Sequence, residues 1–197
     1  LTELARRQPE QTPENLTRIS DSARQLTRAM DEIVWAVDPQ HDTFEGLMDY
    51  ISAYAEDFLR VAGIRCRMDL PGTLPVMHIE AEVRYNLFLA LKETLNNVVK
   101  HAQATEVWLR LRLEGRSFSL IIEDNGTGLS DGETAAGRNR LISGAGFSNL
   151  EQRLKNIGGH CSISDTGHGM RVVMTVKARN ATSPVMAIGH DNGGELE

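Results

Sequence analysis

The first forty residues repeat their hydrophobic positions at the interval of an α-helix. Between residues 14 and 37 the spacing alternates between three and four residues, which is a heptad pattern. The repeating positions are Leu16, Ile19, Ala23, Leu26, Met30, Ile33 and Val37. A single helix leaves such a stripe in water, so the pattern favours a dimeric four-helix bundle over a helix that packs only on its own domain.

A shorter stretch before this helix indicates a helical hairpin. Leu1–Arg7 has its apolar residues on one face, and Pro9 and Pro13 bracket the turn that follows. Thr12 is a suitable N-cap for the second helix, with Pro13 at its first position. Residues 1–40 are therefore predicted to form a partial helical hairpin whose first arm is cut short.

The pattern changes after Asp38-Pro39, because a residue that precedes proline is driven out of the α conformation. Beyond this point, helical periodicity alternates with the period-two pattern of strands. Helices are predicted at Thr43–Ala62, Glu80–His101 and Gly146–Ile157, and strands at Ile64–Leu70, Glu106–Glu114, Phe118–Glu123, His160–Ser164 and Met170–Ala178. Residues 41–179 are expected to form one domain of mixed helices and strands, followed by a loose tail at 180–197.

Composition narrows the class of protein. The net charge of −6 argues against a protein that coats nucleic acid, which needs a clustered basic face. The chain has no run of about 18 apolar residues and no secretory leader pattern, so we expect a soluble, cytoplasmic chain. Cys66 and Cys161 each lie in a predicted strand and are interpreted as two buried thiols, in preference to a disulfide or a metal pair.

Three segments carry residues suited to chemistry, and the first lies on the helix Glu80–His101. Glu93 and Asn97 are four residues apart and Lys100 or His101 follows at the next helical interval, so they are predicted to share one face. A row of carboxylate, amide and cation suits a Mg-phosphate site, because Mg²⁺ takes hard oxygen ligands and few protein groups. An ordinary solvated helix face is the alternative.

The second segment follows the strand Phe118–Glu123 and reads Asp124-Asn-Gly126-Thr-Gly128. Glycine lets a backbone approach a ligand where a Cβ would collide, and a carboxylate at the strand exit can accept a hydrogen bond from an exocyclic amine. A type I′ hairpin turn is the alternative, but a polar, glycine-rich stretch at residues 129–143 follows in place of a second strand.

The third segment, Gly144-Ala145-Gly146-Phe147, opens the helix Gly146–Ile157. Unpaired amides at a helix N-terminus attract phosphate, although a lone G-x-G is a weak signal. The chain contains no P-loop sequence, so a phosphate site has to use this different layout.

Taken in order, E-x-x-x-N-x-x-K-H, D-N-G-x-G and G-x-G-F resemble the N, G1 and G2 boxes of the GHKL ATPase superfamily, over roughly residues 43–178. Within that group, N-N-V-V-K-H-A-Q-A, the compact lid and the closing G-x-G pair look like sensor histidine kinases of the DesK, NarX and LiaS type. The resemblance implies an α+β fold, a two-layer α/β sandwich with a mixed sheet and helices on one face (the Bergerat fold). It also implies use of ATP with Mg²⁺, a homodimer through the N-terminal helices, and relay of phosphate to a response regulator of the NarL or LuxR kind.

The resemblance assigns roles residue by residue. Asn97 matches the Mg²⁺ ligand, and Glu93 matches the general base or orienting carboxylate, with Lys100 as a second catalytic group. Lys100 and His101 would lie near the phosphates, and Asp124 would accept from the adenine amine. Further nucleotide contacts are implied for Gly126, Gly128, Leu129, Gly144, Ala145, Gly146, Phe147, Gly169 and Met170.

Two features depart from the family pattern. Gly169-Met170 stands where the family usually has Gly-Thr, so one hydroxyl contact is missing. None of the six histidines fits the phosphoacceptor box, because His41-Asp42 follows Pro39 in a linker. We predict that the chain binds Mg-ATP without autophosphorylating, and that the acceptor and any membrane anchor lie outside it.

Three alternatives stay open beside the histidine kinase. A gyrase- or MutL-like clamp belongs to the same superfamily but brings a longer lid and a transducer domain. An anti-sigma serine kinase is nearer in size but lacks a heptad helix before the ATP domain. A dimeric scaffold with a degenerate nucleotide site is favoured only by Met170.

Overall fold

The computed structural model describes residues 12–128 and 145–177. The predicted first arm of the hairpin, the lid at residues 129–143 and the tail at residues 180–197 lie outside the described residues. Every structural statement below concerns the described part of the chain.

The heptad stretch forms one long helix, α1 (Thr12–Val37), as predicted. Its stripe of hydrophobic residues is exposed to solvent along its length: Leu16 is 57% exposed, Leu26 67%, Met30 65% and Val37 61%. The C-terminal end of α1 contacts the rest of the molecule through Trp35 and Ala36, which are buried, and through Glu32, which pairs with Lys92. Asn15, near the start of the helix, is buried as well. A short 3₁₀ turn, Pro39–His41, then ends the helical stretch where Asp38-Pro39 predicts a break.

The predicted strands form one mixed five-stranded sheet in the order β1-β2-β3-β5-β4. β1 pairs in parallel with β2, and the remaining pairs are antiparallel. The strands are β1 (Arg65–Asp69), β2 (Glu106–Glu114), β3 (Ser117–Asp124), β4 (His160–Asp165) and β5 (Met170–Lys177). The strand Phe118–Glu123 therefore pairs with two neighbours, the preceding strand and the last one.

Three helices pack on one face of the sheet and give the two-layer α+β architecture that the resemblance implies. They are α2 (Phe44–Val61), α3 (Ala81–Asn97) and α4 (Ala145–Asn156). Thr43 caps α2 by accepting a hydrogen bond from the Gly46 amide at 3.0 Å. The core lies between the layers, where alternate residues of β2, β3 and β5 meet the helices: Val107, Leu109, Leu111, Phe118, Leu120, Ile122, Val172, Met174 and Val176.

The end of α3 differs from the continuous helix predicted at Glu80–His101. The α-helix ends at Asn97, and Val98–Ala102 continue as one π-helical turn. Gln103 then reverses the chain with a φ of 52°, in the left-handed region. A π turn accommodates an extra residue, so the α-helical spacing that relates Lys100 and His101 to Glu93 no longer applies to them.

The two cysteines are free and half-buried, on β1 and on β4. Burial raises the pKa of the Cys66 thiol to about 11 and that of Cys161 to about 12. In the described part of the chain, no helix combines the length and apolar character required to cross a bilayer.

Candidate functional site

The end of α3 supplies the first group of predicted site residues. Glu93 is half-buried and Asn97 is exposed, and these two residues share a face of the α-helix as predicted. Lys100 and His101 are exposed on the π turn. On the sheet side of the helix, Leu87, Leu91 and Leu95 are fully buried and hold it on the core.

Asp124 ends β3 and is one of few charged side chains buried in the described structure, with 4% of its surface exposed. The Gly126 amide donates a hydrogen bond to its Oδ1 at 2.8 Å, and the Met170 amide donates a second one. Burial raises the pKa of the Asp124 carboxyl, and these two amides act in the opposite direction. A carboxylate held by backbone amides in a shielded position is suited to orient a donor on a ligand.

The Asp124–Gly128 loop is fixed to the end of α3. The Thr127 amide donates to the carbonyl of Ala102 at 2.8 Å. Asn125 accepts from the amides of Thr105 and Glu106, both at 2.9 Å. The loop after β3 and the π turn after α3 therefore form one unit. The hairpin alternative for D-N-G is excluded, because β3 leads into this loop and pairs with β5 instead.

Two glycines permit these contacts between segments. A Cβ at Gly126 would lie 2.1 Å from the carbonyl oxygen of Ala102, and one at Gly169 would lie 1.9 Å from that of Asp124. Gly169 also has a φ of 131°, which side chains rarely adopt. These glycines allow close approach to the protein's own backbone, whereas the sequence suggested approach to a ligand.

Gly169 and Met170 bring the start of β5 to the same place. The unusual methionine does not remove the contact of this residue with Asp124, because that contact is made by its backbone amide. The structure thus joins Ala102, the Asp124–Gly128 loop and Gly169-Met170. Sequence reasoning missed Ala102 and Asn125, whose roles depend on contacts between distant segments.

The first turn of α4 consists of Ala145, Gly146 and Phe147, whose side chains are not described. Leu150 and Leu154 are buried and anchor the helix against α3 and the sheet. Leu129 and Gly144 lie outside the described residues. A helix N-terminus after a glycine offers unpaired amides to an anion.

The chain matches the family described as "Histidine kinase-, DNA gyrase B-, and HSP90-like ATPase" over residues 82–180. This range begins in α3 and includes the segments that meet at Asp124.

Three curated relatives are histidine kinases by name. An "Uncharacterized sensor-like histidine kinase" of Chloroflexus aurantiacus is 27% identical over 176 residues, which are 88% of this chain and 29% of that protein. "Signal transduction histidine-protein kinase/phosphatase UhpB" of Salmonella typhimurium is 36% identical over 49% of this chain and 18% of that protein. "Sensor histidine kinase LiaS" of Bacillus subtilis is 26% identical over 67% of this chain and 34% of that protein. The chain spans less than a third of the length of the first two.

Among solved structures, the histidine kinase AdeS of Acinetobacter baumannii shares the fold. The match has a TM-score of 0.57 at 16% identity and covers 85% of this chain and 84% of that chain. The predicted fold and the predicted resemblance are both confirmed. This chain belongs to the histidine kinase-, DNA gyrase B- and HSP90-like ATPase family, and its relatives place it with the ATPase domains of sensor histidine kinases.

Proposed function

We propose that this chain binds Mg-ATP and donates the γ-phosphoryl group to a histidine that it does not itself carry. The observation that supports the proposal best is the position of Asp124. Its buried carboxylate lies where the loop after β3 meets the start of β5, beside the π turn, and backbone amides of Gly126 and Met170 hold it in place. Adenine presents an exocyclic amine, which is the donor that a carboxylate in this setting recognises.

The remaining site residues surround the phosphates in this proposal. Lys100 and His101, exposed on the π turn, offset the negative charge, and the first turn of α4 adds amides from Ala145, Gly146 and Phe147. Leu129 and Gly144 contribute from the adjoining lid. Gly126, Gly128, Gly169 and Met170 form the walls around the base. Phosphoryl transfer requires mainly positioning and neutralisation of charge, which such a set can provide.

Glu93 and Asn97 fit a Mg²⁺ ion bound together with ATP. Both present hard oxygen atoms on one face at the end of α3, and Asn97 is open to solvent. The described residues contain no cluster of three or more His, Cys, Asp or Glu side chains for a metal held by protein alone. Mg²⁺ that keeps waters and phosphate oxygens needs no such cluster, and it neutralises charge on the phosphates. In this proposal Asn97 is the ligand, while Glu93 orients the reacting groups.

In this proposal the acceptor is not one of the histidines of this chain. His41 is in the 3₁₀ turn after α1, near Asp38 with a closest N···O distance of 3.8 Å. That position is outside the heptad stripe on which an acceptor helix would be built. The phosphate would then pass to an aspartate of a response regulator, of the NarL or LuxR kind. The whole protein would be cytoplasmic at this end, with any membrane anchor outside this chain and no direct contact with nucleic acid.

Dimerisation through α1 and the predicted first arm of the hairpin completes the proposal. Glu32 and Trp35 face the ATP-binding domain, whereas the hydrophobic stripe lies about 150° away around α1. The stripe is therefore free to pack against other helices while the end of α1 remains on the domain. Residues 1–40 would form the dimerisation part, residues 41–179 the ATP-binding domain and residues 180–197 a tail.

Two measurements test the proposal. Calorimetric titration with ATP, with and without Mg²⁺, should show Mg-dependent binding that Asn97→Ala weakens. Equal, Mg-independent affinity in both proteins would favour the scaffold alternative that Met170 suggests. Incubation with labelled ATP should then leave the chain unphosphorylated, and an acid-labile phosphohistidine would contradict the absence of an acceptor.

A further inference from the structure

Asn125, the first residue after β3, connects the loop that follows this strand to the start of β2. Its Oδ1 accepts hydrogen bonds from the backbone amides of Thr105 and Glu106, both at 2.9 Å. Its Nδ2 donates to the Thr105 hydroxyl at 2.9 Å, and its own backbone amide donates to the Glu106 carbonyl at 3.2 Å. The two amide donors require an oxygen acceptor, so they fix the orientation of the carboxamide. We name this set of four hydrogen bonds the Asn125 tie.

The segment that receives the Asn125 tie follows directly on the π turn. Ala102 ends that turn, Gln103 reverses the chain with a φ of 52°, and β2 begins at Glu106. Gln103 is the one non-glycine residue in the described part of the chain with a positive φ, a conformation that most residues avoid. A backbone of this kind persists where surrounding contacts hold it in place. Asn125 supplies such contacts two residues further along the chain, at Thr105.

The strand β1 anchors the same segment from the opposite side, because β2 lies between β1 and β3 in the sheet. The Arg65 amide donates to the Thr105 carbonyl at 2.9 Å. The Glu106 carboxylate accepts from Nε and Nη2 of Arg67, both at 2.9 Å, and a bidentate pair of this kind has a defined geometry. The start of β2 is therefore a fixed point, against which Asn125 holds the loop after β3.

The Asn125 tie joins the two halves of the proposed nucleotide site. Asp124, the neighbour of Asn125 in the chain, belongs to the half assigned to the base. Lys100 and His101, on the π turn, belong to the half assigned to the phosphates. A ligand that contacts both halves needs them at a fixed separation, whereas a ligand that contacts one half does not.

We propose that Asn125 is a positioning residue, which sets the separation between the base-binding and phosphate-binding halves of the ATP site. It acts through the segments that it joins, because both polar atoms of its side chain are bonded within the protein. This inference rests on the proposed function, and it gives a role to a residue that has none in that proposal.

Three ligands test the positioning role. Adenosine probes the base half, magnesium tripolyphosphate probes the phosphate half, and Mg-ATP probes both halves together. Titration calorimetry and ligand-observed NMR give the dissociation constant of each ligand for the parent and for Asn125→Ala, which lacks the side-chain hydrogen bonds. Gln103→Ala, which removes an exposed carboxamide from the same segment, is the matched control. Asn125→Asp tests rescue, because its oxygens accept from both amides and from the Thr105 hydroxyl.

We expect Asn125→Ala to weaken the binding of Mg-ATP about tenfold, because the nucleotide itself must then hold the two halves in place. The dissociation constants for adenosine and for magnesium tripolyphosphate should change by less than about twofold, since neither ligand spans the two halves. Asn125→Asp and Gln103→Ala should bind all three ligands like the parent. Thr105→Val, which removes a single hydrogen bond of the tie, should lose about threefold in affinity for Mg-ATP alone.

An equal loss of affinity for all three ligands would show general damage to the domain and would overturn the positioning role. Unchanged binding of Mg-ATP by Asn125→Ala, or failure of Asn125→Asp to restore it, would overturn the role as well. If Asn125→Ala does not fold, as judged by thermal melting without nucleotide, the result for Thr105→Val decides. Absence of Mg-ATP binding in the parent would overturn the proposed function and this inference with it, whereas failure of the inference alone leaves binding by the parent intact.

Discussion

Asp124 is the buried carboxylate on which the proposed recognition of adenine rests. Removing a carboxylate from water is costly, and here backbone amides of Gly126 and Met170 offset part of that cost. The loop after β3 and the start of β5 are shaped to support this group. A turn alone does not require a buried charge at this position.

Replacing Asp124 with Asn should therefore abolish recognition of adenine while preserving the fold. The Asn side chain can still accept from Gly126, but its amide presents donors where the adenine amine needs an acceptor. We expect ATP affinity to fall about 10- to 100-fold, the usual effect of losing one hydrogen bond to a charged group. Isothermal titration calorimetry measures the change. Glu123→Gln, the same chemical change on the opposite face of β3, is the control and should bind ATP like the parent.

A second prediction at the residue scale concerns Gly126. The Cβ of Gly126→Ala would meet the Ala102 carbonyl at 2.1 Å, so the loop must move away from the π turn. We expect the substitution to weaken ATP binding at least tenfold and to lower the thermal midpoint. Gly72→Ala is the control, because nothing lies within 4 Å of a Cβ there and its φ is not in the left-handed region. Equal behaviour of the two variants would contradict the assigned contact.

At the scale of elements, local pattern predicts what is locally determined. The heptad of α1, the Thr43 cap and the alternation in β2 are each visible in a short window, and each appears in the structure. The π turn at Val98–Ala102 is not visible, because no Gly or Pro marks it and it is stabilised by contacts such as that of Ala102 with Thr127. The approach of Gly169 to Asp124 is hidden for the same reason, since the two residues are far apart in sequence.

The order of the three motifs indicates the family more specifically than any one motif does. A G-x-G pair or a D-N-G turn occurs in many loops for reasons of conformation alone. The sheet order explains why the sequence order matters, because β3 and β5 are neighbours and bring the second motif beside Gly169-Met170. Motifs considered one at a time do not reveal that these two strands are neighbours.

The exposed stripe of α1 predicts self-association. Leu26→Glu places a charge at the middle of the stripe, where Leu26 is 67% exposed in the single chain. We expect the parent to sediment as a dimer and Leu26→Glu to dissociate at least tenfold more readily, because a buried charge would face the partner helix. Ser20→Glu is the control, because Ser20 lies about 90° around the helix from the centre of the hydrophobic stripe. This substitution should leave the dimer intact. A monomeric parent at high concentration would contradict the dimer, while ATP affinity should be unchanged in all three proteins.

At the scale of the whole molecule, the end of α1 belongs structurally to the ATP-binding domain. Trp35 and Ala36 are buried, and the guanidinium of Arg84 finds two of its acceptors at Ala36 and Asp38. Between residues 16 and 31, in contrast, no described side chain is buried. The cooperative folding unit is therefore expected to begin near Asp31, although the sequence pattern changes only after Asp38.

Truncation distinguishes these two boundaries. A protein that begins at Asp31 should unfold in urea with nearly the same free energy as the parent measured as a monomer, because Asn15 is the one buried side chain described in the segment that it lacks. A protein that begins at Gln40 loses the Trp35 contacts and leaves guanidinium N–H groups of Arg84 without acceptors in a buried position. Its free energy of unfolding should be lower by about 3 kcal/mol or more, since unpaired buried donors and lost aromatic packing both contribute. If both truncated proteins unfold alike, the domain ends at the linker and the contacts of α1 are incidental. If only the protein that begins at Gln40 is destabilised, α1 and the ATP-binding domain share one core. A rotation of α1 must then act directly on the helix that carries Glu93 and Asn97.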